Sequence, residues 1–144
     1  MANVSKLLEK KGKELISVSP DTGIRDAISK MAEKSAGTAL VMDGNKLVGI
    51  FSERDVIRKV YLQDKCSKTK VSEIMSTKLT TVKADTTLES CMEMMTEKRI
   101  RHLPVMSGDQ VIGVISIGDI VKFMVQEKEF VIKNLQSYIA GPGM

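Results

Sequence analysis

The chain has 144 residues, 42% hydrophobic and 28% charged, which limits it to one globular domain or two small ones sharing a core. The net charge of +4 and 3% aromatic residues disfavour a nucleic-acid binder, because base stacking has few side chains to use. No apolar run approaches the ~20 residues of a membrane helix, and the N-terminus is too charged for a signal peptide, so we expect a cytoplasmic protein.

The elements predicted along the chain form one series that occurs twice. A brief strand over residues 15–18 is followed by a helix over 22–35, a hairpin over 38–51 and a second helix from Ser52. The same series returns at 79–82, 86–98 and 102–115, with a second helix from Ser116. Asp21-Thr22 and Asp85-Thr86 are predicted N-caps of the first helices. This is β-α-β-β-α, written twice.

Residue identities confirm that the series is an internal repeat. Asp21-Thr22 and Asp85-Thr86 lie 64 positions apart, and the same shift pairs Met31 with Met95 and Gly49 with Gly113. Upstream, Val4-Ser5 matches Val71-Ser72 at a shift of 67. We assign residues 4–63 to the first repeat, 71–126 to the second and 127–144 to a C-terminal helix and tail. Because each repeat is too small to bury much surface alone, the two should pack sheet to sheet about a pseudo-twofold axis.

The C-terminal helix has an apolar face that includes Val131, Leu135 and Tyr138. Packing on its own domain and contact with a second chain are equally compatible with this pattern. The two cysteines, Cys66 and Cys91, have no metal-binding spacing and indicate no disulfide framework. Cys91 lies in a helical apolar pattern and is predicted to be buried.

Both repeats end their hairpin with Gly-x-x-Ser-x-x-Asp, which places Ser52 with Asp55 and Ser116 with Asp119. One interpretation is local, since Ser-x-x-Asp at a helix start resembles a capping box. The other is a nucleotide site, in which the Asp accepts from two ribose hydroxyls and the Ser faces the phosphate. Arg54, Arg101 and His102 could neutralise that phosphate. Both interpretations stay open on the sequence.

The doubled motif, "GIFSERD" at 49–55 and "GVISIGD" at 113–119, together with "RHLPV" at 101–105, resembles a tandem cystathionine β-synthase (CBS) domain pair, or Bateman module. The resemblance covers residues 4–126 and is greatest to the stand-alone bacterial type. It implies an α/β (α+β) fold of two β-α-β-β-α repeats, with a C-terminal helix added. It also implies an adenine nucleotide as ligand (AMP, ADP, ATP or NAD, and in some members S-adenosylmethionine) and a homodimer of pairs.

The resemblance implies two clefts, each shared between the repeats. The residues carried over to the first are Ile50, Ser52, Arg54, Asp55, Met75, Thr80, Ile100, Arg101 and His102. Those carried over to the second are Val114, Ser116, Asp119, Ile16, Ala36, Gly37 and Thr38. We call these the Asp55 cleft and the Asp119 cleft. Apolar residues and strand-edge backbone would hold the adenine.

The repeats differ in charge beside the two motifs. Gly37-Thr38 in the first repeat corresponds to Arg101-His102 in the second, and Arg54 corresponds to Gly118. The Asp55 cleft is therefore expected to prefer more phosphate charge. Arg101 could instead be a solvated surface charge, and His102 a hydrogen-bonded strand residue.

These features predict a regulatory nucleotide sensor that acts by ligand-linked conformational change on an effector protein. Catalysis is not expected, because no nucleophile-base pair, phosphate-cradling loop or metal cluster stands out, and no metal or catalytic cofactor is predicted. The alternatives are a dimerisation scaffold that binds no ligand and, more remotely, a nucleic-acid binder.

Overall fold

The computed structural model describes residues 2–12, 15–64 and 68–139, with the side chains of 138 and 139 excepted. Cys66 and the end of the tail therefore lie outside the described residues. Within the described residues, no helix combines the length and apolarity needed to cross a bilayer.

Each repeat forms a three-stranded sheet. In each sheet a two-residue strand runs parallel to the first hairpin strand, and the hairpin strands pair antiparallel. The strands are β1 (Ser17–Val18), β2 (Thr38–Asp43) and β3 (Lys46–Ser52), then β4 (Val82–Lys83), β5 (His102–Ser107) and β6 (Gln110–Ser116). The hairpins match in detail, since Gly44 and Gly108 both turn with positive φ. Each repeat therefore contains its own copy of the predicted sheet. The two repeats meet where β3 of the first contacts β6 of the second.

The helices follow the repeat less closely than the strands. They are α1 (Val4–Lys11), α2 (Ile24–Glu33), α3 (Glu53–Asp55), continued by a π-helix (Val56–Tyr61), then a 3₁₀ helix (Val71–Glu73), α4 (Leu88–Lys98) and α5 (Ile117–Ile139). The predicted second helix of repeat 2 and the predicted C-terminal helix are one continuous helix, α5. The mixed α/β pair of repeats with a C-terminal helix is thus confirmed.

The predicted N-caps of α2 and α4 are wrong by one or two residues. Gly23 caps α2 without a side-chain bond, and Thr87 caps α4 by accepting from the Ser90 amide. The Thr22 hydroxyl instead accepts from the Ser19 amide, and its counterpart Thr86 does the same in the second repeat. The threonine of each Asp-Thr pair therefore closes the turn that precedes its helix.

The leading segments of the two repeats exchange partners. Val4, Leu7 and Leu8 of α1 pack in the buried cluster of the second repeat, whereas Val71 and Ile74 pack in the cluster of the first. Backbone bonds repeat the exchange: the Val4 amide donates to Thr86, and the Val71 amide to Thr22. Each core is completed by the segment that precedes the other repeat, so neither is complete alone.

The glycine of each motif is required by this packing. A Cβ on Gly49 would lie 2.5 Å from Met75 Sδ, and one on Gly113 would lie 2.8 Å from Leu8 Cδ2. Met75 and Leu8 are equivalent at the shift of 67. The close approach that glycine permits is therefore made by the exchanged segments.

Candidate nucleotide-binding clefts

Two cavities lie where the repeats meet. One of about 460 Å³ is lined by the residues assigned to the Asp119 cleft, and one of about 600 Å³ by all but one of those assigned to the Asp55 cleft. Both volumes are typical of small-molecule sites. Gly37, Thr38 and His102 line both cavities, so the clefts are neighbours.

The Asp119 cleft combines the two repeats as the resemblance implied. Its seven assigned residues all line the cavity: Ile16, Ala36, Gly37 and Thr38 from repeat 1, and Val114, Ser116 and Asp119 from repeat 2. The backbone places them, because Ser116 is the last residue of β6 and Asp119 lies in the first turn of α5. The cavity is also lined by Lys11, Gly12, Lys34, Ser35 and Leu40.

The Asp55 cleft contains the assigned residues with one exception. Ile50, Ser52, Arg54, Asp55, Thr80, Ile100, Arg101 and His102 line the cavity. Met75 does not, because its side chain packs against Gly49 and the first core cluster, while the next residue, Ser76, lines the cleft. The lining residues that were not assigned are Glu53, Ile57, Arg58, Lys59, Lys78, Leu79 and Arg99, together with the shared Gly37 and Thr38.

Both Ser-x-x-Asp motifs form capping boxes in this structure. Asp55 Oδ2 accepts from the Ser52 amide at 3.0 Å, and the Asp55 amide donates to Ser52 Oγ at 3.4 Å. Asp119 Oδ2 accepts from the Ser116 amide at 2.8 Å, and its own amide donates to Ser116 Oγ at 3.0 Å. Since an ionised carboxylate has about four acceptor positions, capping leaves Asp119 able to accept further hydrogen bonds. Capping and ligand binding are thus compatible.

Each aspartate also has a lysine partner, but the two lysines come from different elements. Lys59, one turn further along the same helical segment, lies 3.2 Å from Asp55 Oδ1. Lys11, from α1, lies 2.6 Å from Asp119 Oδ2 and donates to the Val114 carbonyl at 2.6 Å. Burial would raise the pKa of Asp119, but the hydrogen bonds from Lys11 and Ser116 outweigh it and hold the pKa below its usual value.

His102 stands between the clefts. Its Nδ1 lies 3.0 Å from Thr38 Oγ1, so the hydrogen-bonded interpretation of this histidine agrees with the structure while the ring also lines both cavities. Burial lowers the pKa of His102 below 6.5, and Lys11 and Arg101 lower it further against the opposing effect of Asp119 and Glu53. His102 is therefore mainly neutral at pH 7.

The clefts differ in charge in the predicted direction. Six cationic side chains line the Asp55 cleft with two carboxylates: Arg54, Arg58, Lys59, Lys78, Arg99 and Arg101, beside Glu53 and Asp55. Two cations, Lys11 and Lys34, line the Asp119 cleft with one carboxylate. Arg101 is exposed, and Arg54 donates to the Arg99 carbonyl at 3.1 Å.

Sequence reasoning missed Lys11 and Lys78, although a signal was present. They are equivalent at the shift of 67 that relates Val4 to Val71. The exchange of leading segments delivers one lysine to each cleft. Among the described residues, no group of three or more His, Cys, Asp or Glu side chains could hold a metal ion.

Known proteins match the chain over most of its length. The family model for the CBS domain matches residues 9–62 and 71–126. The CBS domain-containing protein CBSX3, mitochondrial, of Arabidopsis thaliana is 36% identical over 96% of this chain and 72% of its own. A solved structure of a protein with CBS domains from Burkholderia ambifaria MC40-6 is 43% identical, with a TM-score of 0.83 over 87% of this chain and 95% of that one.

A further solved structure holds a ligand. The CBS domain protein PAE2072 from Pyrobaculum aerophilum, complexed with AMP, is 26% identical, with a TM-score of 0.73 over 81% of this chain and 88% of that one.

Proposed function

The chain belongs to the CBS-domain family, and from this premise we propose that it is a regulatory module that binds an adenine nucleotide (AMP, ADP, ATP or NAD). The observation that carries the proposal is that each cleft is lined by both repeats. A ligand such as the AMP of the Pyrobaculum aerophilum protein would touch both at once. Its binding would favour one arrangement of the repeats over another, which is the requirement for a ligand-linked switch.

The cleft residues suit the parts of a nucleotide. Asp55 and Asp119 accept from the ribose hydroxyls, and Ser52 and Ser116 lie beside them towards the phosphate. Ile50 and Ile100 in one cleft, and Ile16 and Val114 in the other, supply apolar contact for the base. The greater cationic charge of the Asp55 cleft favours ligands with more phosphate groups there.

The module acts in the cytoplasm as a homodimer of pairs, read by an effector protein and without catalysis of its own. Support for the dimer comes from apolar side chains exposed at equivalent positions, Ile57 with Val121 and Tyr61 with Val125. The exposed Phe130 and Leu135 extend the apolar surface along α5. Sedimentation velocity of the wild-type chain and of a Tyr61→Lys, Val125→Lys double variant tests the dimer, because both residues are exposed and line neither cleft. We expect the double variant to be monomeric.

Calorimetric titration with AMP, ADP, ATP and NAD tests the nucleotide site. Wild type is compared with Asp55→Asn, Asp119→Asn and the control Asp109→Asn, which lies in an exposed hairpin turn. Hydrogen bonds to charged groups contribute about 1.5–3 kcal/mol, so each cleft variant should lose ten- to a hundredfold in affinity at its own site. The control should bind like wild type.

The rival function is a dimerisation scaffold in which Ser-x-x-Asp only caps the helix, and the capping boxes are the observation on which it rests. A scaffold binds none of the four nucleotides while remaining dimeric. Hydrolysis of ATP during a long incubation would instead indicate a catalytic function.

A further inference from the structure

Lys11 is the last residue of α1, and its ammonium group reaches into the Asp119 cleft. Its Nζ donates to Asp119 Oδ2 and to the Val114 carbonyl, both at 2.6 Å. About a third of the Lys11 side chain and a quarter of the Asp119 side chain are exposed (33% and 26%). The ion pair is thus partly withdrawn from water, where it is screened less than a surface pair.

The Asp55 cleft has a different arrangement. There the ion pair of the aspartate is with Lys59, an i,i+4 neighbour in its own helical segment. Lys78, the counterpart of Lys11, lines that cleft, but in the part of the chain that the structure describes it makes no ion pair with Asp55. A lysine delivered by the exchanged segment therefore neutralises the motif aspartate in the Asp119 cleft alone.

We infer that Lys11 is a specificity-determining residue, an internal counter-ion that makes the Asp119 cleft select nucleoside phosphates over uncharged nucleosides. The inference rests on the proposed function. A ribose diol that donates to Asp119 competes with Lys11 for the same carboxylate. An uncharged nucleoside weakens the bond between Lys11 and Asp119 and offers the ammonium group no anion in its place. A nucleoside phosphate also weakens that bond, but its phosphate gives the ammonium group a new anionic partner.

The inference gives the sign of two affinity changes. Without the lysine, a nucleoside meets a carboxylate that has no counter-ion, and it should bind more tightly. A nucleoside monophosphate loses its cation and should bind more weakly. A residue that only supported the fold of the cleft would shift both affinities in the same direction.

The test is calorimetric titration of the full chain with AMP and with adenosine. The background carries Asp55→Asn so that the Asp119 cleft dominates, and the variants are Lys11→Met and Lys6→Met. Lys6 is an exposed residue of the same helix and controls for the loss of one positive charge. We expect the ratio of AMP affinity to adenosine affinity to fall about tenfold or more in Lys11→Met and to stay constant in Lys6→Met.

The outcomes separate this inference from the function on which it rests. If Lys11→Met still binds AMP and the ratio of AMP affinity to adenosine affinity is unchanged, the inference is overturned and the proposed function stays intact. An equal loss of affinity for both ligands is one form of this result. Failure of the wild type to bind any nucleotide overturns both. A carboxyl titration by NMR checks the ion pair without ligand: the Asp119 pKa should rise in Lys11→Met, and an unchanged value would also overturn the inference.

Discussion

Thr38 and His102 occupy the same position in the two repeats and are hydrogen-bonded to each other, with 3.0 Å between Thr38 Oγ1 and His102 Nδ1. The pseudo-twofold axis passes between them, and both side chains line both clefts. The two repeats thus carry different residues at a position where they contact each other. The hydrogen bond between them joins a threonine hydroxyl to a histidine ring nitrogen.

The His102 environment predicts a loss of stability in mild acid. Because the folded pKa lies below the ordinary 6.5, the unfolded chain takes up a proton first as the pH falls. The contribution of neutral His102 to the free energy of unfolding is fully present above pH 6.5. It is lost progressively as the pH falls from 6.5 to the lower pKa of the folded state. Urea unfolding at pH 7.5 and 5.5 should show a smaller decrease for His102→Gln than for wild type. An equal decrease in both would assign the effect to other groups.

The exchanged segments predict that α1 stabilises the second repeat. Leu7 is 2% exposed and lies in that core, so Leu7→Ala should cost about 2–5 kcal/mol of unfolding free energy. Glu9→Ala, on the exposed side of the same helix, should cost under about 0.5 kcal/mol. Urea denaturation measures both. A small effect of Leu7→Ala would contradict the packing described for α1.

The contact between Gly113 and Leu8 predicts a coupled pair of substitutions. Gly113→Ala places a Cβ 2.8 Å from Leu8 Cδ2, and such overpacking costs about 1–3 kcal/mol. In a Leu8→Ala background the added methyl group has room, so the same change should cost less. A double-mutant cycle measures the difference, and strictly additive effects would show that the glycine is needed for another reason.

The charge difference between the clefts predicts phosphate selectivity. Arg101 lines the Asp55 cleft and is exposed, so Arg101→Met should weaken ATP more than AMP without unfolding the protein. A charged hydrogen bond corresponds to about tenfold or more in affinity. Arg25→Met, an exposed residue of α2 outside both clefts, is the matched control. Titration with both nucleotides decides it, and an equal loss of ATP and AMP affinity would contradict the assignment.

Much of the site could be predicted from the sequence because it is encoded locally. Alternation of apolar residues and a Gly at each turn determine the hairpins, and the hairpins bring Ser52 and Ser116 to the ends of their strands. The 64-residue shift then shows that the two Ser-x-x-Asp motifs are equivalent. Fifteen of the sixteen assigned residues line the cavities, although the ligand that would bind there stays a prediction.

The sequence by itself determined the repeat, the paired strands and the doubled Ser-x-x-Asp. Only the tertiary structure decided which core α1 covers, that Met75 packs against Gly49 instead of lining a cleft, and that Lys11 meets Asp119 across 108 residues. The reason is physical. Periodicity specifies which face of an element is apolar, but it does not specify which of two similar cores that face packs against. That choice is defined only when both repeats are assembled.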